Sequence, residues 1–70
     1  MNQAEIINKI IAERQRQNRL HPDNKITDYP AIMIEEVGEI GAALQGQGCL
    51  IDEIVQLAAV CVRWLEEYGQ

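Results

Sequence analysis

Seventy residues leave room for one domain, 1–70, and so short a chain completes its core only with a disulfide, a metal, a partner chain or very regular helix packing. A hydrophobic fraction of 47% excludes a disordered chain. A net charge of -5 excludes the basic surface that a nucleic acid polymer requires.

The first predicted helix runs from about Gln3 to about Arg19. Ile6, Ile7, Ile10 and Ile11 share one face of it, and "ERQRQNR" continues it as a polar, helix-favouring stretch. The interruption of these isoleucines by Glu5, Asn8 and Lys9 argues against a signal peptide. His21-Pro22-Asp23-Asn24 stops the helix. The second helix starts near Asp28, with Thr27 or Asp28 as N-cap and Pro30 in the first turn, and reaches about Gln45. Gly46 to Gly48 turns the chain. The third helix spans about Leu50 to about Tyr68, with Asp52 and Glu53 where the helix dipole favours acids. The fold expected is all-α: three helices, with helices two and three forming an antiparallel hairpin.

Aromatic residues are few and Phe is absent, so an aliphatic core is expected. Cys49 and Cys61 are expected as free buried thiols. Leu57 to Val62, the longest uninterrupted apolar run, is too short to span a bilayer. The chain is therefore expected to be soluble and cytoplasmic. The apolar arc of the third helix is wider than a three-helix monomer needs. It predicts that a second subunit covers part of it.

The basic side chains are unevenly placed. Residues 1–25 hold five of the six, and residues 26–62 hold none while carrying Asp28, Glu35, Glu36, Glu39, Asp52 and Glu53. At ~100° per residue, Glu35, Glu36 and Glu39 form one stripe beside the apolar face of the second helix. Gly38 and Gly41 each cost that helix ~1 kcal/mol relative to Ala, which predicts the close approach of another backbone or a ligand. Counted outward from the turn, Glu39 and Glu53 come to similar heights, and Glu36 and Gln56 lie one turn deeper. Four oxygen-bearing side chains can thus face one another across two helices.

Two readings follow. Carboxylates so gathered raise one another's pKa unless a cation intervenes, and Mg²⁺ takes such hard oxygen ligands together with substrate phosphates. A carboxylate-held Mg²⁺ would bind a triphosphate and activate water. Alternatively the acids face solvent or meet Arg14, Arg16 and Arg19, from the first helix or from another subunit. His21 reads as a loop residue or a phosphate or base contact, and Trp64 as a packing residue.

"EEVGEIGAAL" followed by "DEIVQLAAVCVRWLEEY", with "ERQRQNRLHP" upstream, resembles the MazG-like members of the all-α nucleoside triphosphate pyrophosphatase superfamily. The resemblance covers about residues 10–68. The family pattern is EExxE, then ExxD; Glu35-Glu36-x-x-Glu39 matches the first half and Glu53-x-x-Gln56 the second, with Gln56 in place of Asp. The resemblance implies a helical-bundle homo-oligomer, dimer or tetramer, that hydrolyses a nucleoside triphosphate to the monophosphate and pyrophosphate. It implies Mg²⁺ on Glu36, Glu39 and Glu53, with Gln56 contributing oxygen but no charge. Glu35 would be a further ligand or would orient the attacking water, and Arg14 or Arg16 would meet phosphate by charge. The basic elements that many family members carry after this point are expected to be missing here. Substitution of Asp by Gln56 also leaves open a catalytically inactive helical oligomer that acts as a regulatory or interaction module.

Overall fold

The computed structural model describes residues 1–69, apart from the side chain of Ile26. Three α-helices, α1 (Gln3–Leu20), α2 (Tyr29–Leu44) and α3 (Leu50–Tyr68), make up almost all of it, and the described residues contain no strand. Asn2 caps α1, its side-chain oxygen accepting from the Glu5 N–H at 2.9 Å. The helix ends at His21, whose φ of -134° and ψ of 59° leave the helical region. The following Pro22 disfavours that region for the residue before it.

A 3-10 turn, Ile26–Asp28, precedes α2, and nothing in the sequence pattern announces it. Asp28 stands at the N-cap position but makes no capping bond to α2. Its carboxylate instead accepts from the Lys25 N–H at 2.7 Å, and its own N–H closes the turn on the Lys25 carbonyl at 2.8 Å. The chain leaves α2 through Gly46 and Gly48, both at positive φ (92° and 108°), a backbone region nearly closed to other residues.

α3 is the central helix, packing against both α1 and α2, while the backbones of α1 and α2 stay more than 8 Å apart between Cα atoms. The fully buried core is correspondingly thin: Tyr29, Ala43, Ala59 and Val60. Ala59 retains no exposure, as a small residue must where one helix is packed on two sides. The largest buried side chain is Tyr29, so the core is not purely aliphatic. Trp64 is half-buried with its ring 6.2 Å from that of Tyr29. Both cysteines are free, but Cys49 is exposed and only Cys61 is partly covered, contrary to the expectation of two buried thiols.

Much of the predicted apolar arc of α3 is uncovered. Ile51, Ile54, Val62 and Leu65 are exposed, as are Ile34, Val37 and Leu44 on α2. The helix instead buries the neighbouring side, which carries Ala59, Val60 and Arg63. The accessible surface is 4978 Å², against roughly 4400 Å² for a compact folded chain of this mass. A methyl group placed on Gly38 or Gly41 would meet no neighbouring atom within 4 Å, so the approach expected there is not made within this chain. No helix among the described residues is long and apolar enough to cross a membrane.

Candidate functional site

Glu36 and Glu39 are three residues apart on α2, and Glu53 and Gln56 are three apart on α3, so each pair projects to one side of its helix. Packing of α2 on α3 brings one carboxylate oxygen from each of Glu36, Glu39 and Glu53 within 4.8 Å of one another. The Gln56 amide completes the group. The end of the amide lies 3.1 Å from both Glu36 Oε2 and Glu53 Oε2, and with its nitrogen on that side it would donate to both. With its oxygen there it faces the same two carboxylates, an arrangement favoured by a bound cation or by a protonated Glu36. Gln56 is tied from behind: Gln17 Nε2, on α1, donates to its backbone carbonyl at 3.1 Å.

The electrostatics follow from this crowding. Partial burial, then the charge and hydrogen bond of Glu39, then the charges of Glu53 and Glu35, push the Glu36 carboxyl from 4.5 up to about 7. A hydrogen bond with Glu39, some desolvation and the charges of Glu39 and Asp52 also raise Glu53.

The basic side chains are engaged elsewhere. Arg14 pairs with Glu66, near the end of α3, and lies away from the carboxylates. Arg16 grips Glu13 with two bonds, Nε at 2.8 Å and Nη2 at 3.0 Å. This pairing raises the Arg16 pKa, with a smaller contribution from Glu36. Arg63 pairs with Glu67 at 3.4 Å. Among the described residues, none of these ion pairs reaches Glu36, Glu39 or Glu53. Among the described residues of this chain, pairing of the cluster with the arginines of α1 is therefore not formed, while Glu39 itself faces solvent.

Glu35 is exposed and stands outside the three-carboxylate group. It lines an adjacent cavity of about 320 Å³ that Glu36 also lines, so the two sites share a wall. Arg16, His21 and Asn24 line the same cavity. A second groove, beside Gln56 and Asp52, gathers Lys9, Arg16 and Arg19.

The residue that sequence reasoning missed is Arg63. It is 3% exposed and lines the cavity, with its guanidinium carbon 5.7 Å from the centre of the Tyr29 ring. The Tyr29 hydroxyl donates to Glu67 Oε1 at 2.7 Å. That bond, followed by the bond and charge of Arg63, holds the Glu67 carboxyl below its ordinary value. Burial and the bond to Glu67 raise the Tyr29 hydroxyl.

The donor set suits a hard divalent cation. Octahedral Mg²⁺ at 2.0–2.1 Å sets its oxygens about 3 Å apart when adjacent and about 4.2 Å apart when opposite, and Ca²⁺ tolerates slightly more. Separations of up to 4.8 Å therefore close on Mg²⁺ with small side-chain rotations. Scanned against protein-family models, curated proteins and solved structures, the chain matches none.

Proposed function

We propose that this chain is a Mg²⁺-dependent nucleoside triphosphate pyrophosphohydrolase of MazG-like type, converting a nucleoside triphosphate to the monophosphate and pyrophosphate in a house-cleaning role. One observation carries the reading: three carboxylates converge within 4.8 Å, and none of the ion pairs formed by the described residues compensates them. Their order and spacing along the chain agree with the motif resemblance. Glu36, Glu39 and Glu53 would hold the cation, with Gln56 as a neutral fourth donor. When bound, such a cation supplies positive charge for phosphate oxygens and lowers the pKa of water. The protein's own contribution is to set these oxygens before substrate arrives, through α2–α3 packing and the Gln17 tether to Gln56. Arg16 is the nearer of the two arginines considered for phosphate, since it lines both spaces flanking Gln56 and Glu36.

The finer architecture belongs to the same proposal. Helices α2 and α3 are read as an antiparallel hairpin, and the uncovered apolar residues Ile51, Ile54 and Leu65 on α3 and Ile34, Val37 and Leu44 on α2 as the contact surfaces of a homo-oligomer.

A second reading, a non-catalytic helical oligomer with a regulatory or interaction role, is favoured by Gln56. Its amide nitrogen can satisfy Glu36 and Glu53 without any metal. Incubation with a panel of canonical and modified nucleoside triphosphates plus Mg²⁺, assayed for pyrophosphate, separates the two. Release that depends on Mg²⁺ and is lost in Glu39→Ala supports the hydrolase. No release from any member of the panel leaves the non-catalytic module.

A further inference from the structure

The buried guanidinium of Arg63 lacks enough partners. Its Nε makes one long bond, 3.4 Å to Glu67, and its face lies against Tyr29. Among the described residues, neither terminal nitrogen makes a hydrogen bond. Among the described residues no fully enclosed side-chain nitrogen or oxygen is left without a partner, so those two nitrogens still meet open space. The space that Arg63 lines is the cavity beside Glu36. A ligand with two adjacent acceptors fits these open donors in place of water.

Charge decides what kind. Two cations, Arg16 and Arg63, and three carboxylates, Glu13, Glu35 and Glu36, line the cavity. Arg16 is matched by Glu13, and Arg63 is already paired with Glu67. Neither Glu35 nor Glu36 has an ion-pair partner among the described residues, so a phosphate or carboxylate entering here would meet at least the charge of Glu35. A neutral group with two adjacent acceptors suits the Arg63 fork better. Guanine offers that pair in O6 and N7, whereas adenine places a donor beside N7. Guanine also carries ring donors, for which Glu35 supplies an acceptor on the cavity wall. About 320 Å³ admits a base with part of its sugar. The wall shared through Glu36 directs the phosphates of such a nucleotide toward the carboxylate group.

We infer that this cavity is the base subsite of the nucleotide and selects guanine, with Arg63 reading O6 and N7. The inference rests on the nucleotide reading of the neighbouring acidic group, but its test does not need that group to work. Guanosine, 7-deazaguanosine, adenosine and inorganic phosphate are titrated into the wild-type protein in EDTA, followed by amide NMR shifts. Guanosine is expected to bind at least about fivefold more tightly than adenosine and than 7-deazaguanosine, which lacks the N7 acceptor. The shifts should centre on Arg63, Asn24 and Glu35. In Arg63→Lys, checked for helicity, the preference should vanish; should that variant not fold, the probe series on the wild type still decides.

Equal binding of guanosine and adenosine, no nucleoside binding, or occupation of the cavity by inorganic phosphate overturns the inference. If pyrophosphate is released equally from GTP and ATP while no nucleoside binds, the subsite is wrong and the hydrolase stands. If guanosine binds selectively while no triphosphate is cleaved, the subsite stands and the hydrolase falls.

Discussion

Glu36→Gln should make this protein more stable above neutral pH. The glutamine approximates the protonated carboxyl, which the folded chain retains up to about pH 7 where an ordinary glutamate ionises near 4.5. The folded state therefore binds more protons than the unfolded state between those values, and stability falls as pH rises through that window. Its full contribution is present below about 4.5 and gone above about 7. Taken at face value, that interval corresponds to roughly 3 kcal/mol. Glu36 is only partly buried, and solvent screening reduces this to about 1 kcal/mol. For a domain of this size, 1 kcal/mol moves the melting midpoint by about 4–8 °C. Circular-dichroism melts in EDTA should then show Glu36→Gln above wild type by that amount at pH 8 and level with it at pH 4. Glu67, whose pKa is lowered, acts in the opposite sense as the medium becomes acidic, but it is common to both proteins and cancels in the difference. Added Mg²⁺ at pH 8 should raise the wild type and leave the variant almost unmoved. A variant less stable than wild type at pH 8, or a difference independent of pH, would refute the reasoning.

Gln56→Asp adds a fourth carboxylate and removes the donor to Glu36 and Glu53, so in EDTA it should melt lower than wild type and in Mg²⁺ it should recover; isothermal titration should show Mg²⁺ affinity increased by about tenfold. Tyr29→Phe deletes the 2.7 Å bond to Glu67 and should cost about 1–2 kcal/mol in urea unfolding, with the midpoint changed and the slope kept. Ala59→Leu forces added volume into a site with no exposure and should cost about 1–3 kcal/mol by the same measurement. Ile54→Lys together with Leu65→Lys should leave the helix content intact and reduce the mass seen by light scattering to that of one chain; an unchanged mass would remove the proposed interface.

The helices were legible because their boundaries rest on strong local chemistry. Pro22 ends α1, the glycines at 46 and 48 end α2, and each boundary falls within a residue or two of its expected place. The 3-10 turn was not legible, because Asp28 bonds backward to Lys25 where its type suggested a forward cap, and short polar side chains serve either role. The meeting of Glu36, Glu39, Glu53 and Gln56 followed from helical spacing and distance from the turn. The detachment of Glu35 did not, because a stripe about 100° wide on one helix does not specify which member the neighbouring helix reaches. Arg63 was hidden by its surroundings: an arginine between Val62 and Trp64, beside an apolar arc, looks solvated until the ring of Tyr29 is laid against it. The width of the arc marked a surplus of apolar surface, but not which part of it the chain would leave open.

The glycine turn also limits how this sequence can drift. Glu53 Oε1 lies 3.7 Å from where a side chain at Gly48 would begin, so the bend and the carboxylates are neighbours in space as well as in sequence. Inserting one residue that is absorbed into the start of α3 would slide Glu53 by about 1.5 Å and swing it by about 100° around the helix. Gln56 and the buried Ala59 and Val60 would turn with it, so the oxygen-lined meeting point and the seat of α3 would be lost together. Length of the bend, more than identity of the surrounding aliphatic residues, is therefore the trait to follow when distant cousins of this chain are sorted by whether they keep the chemistry.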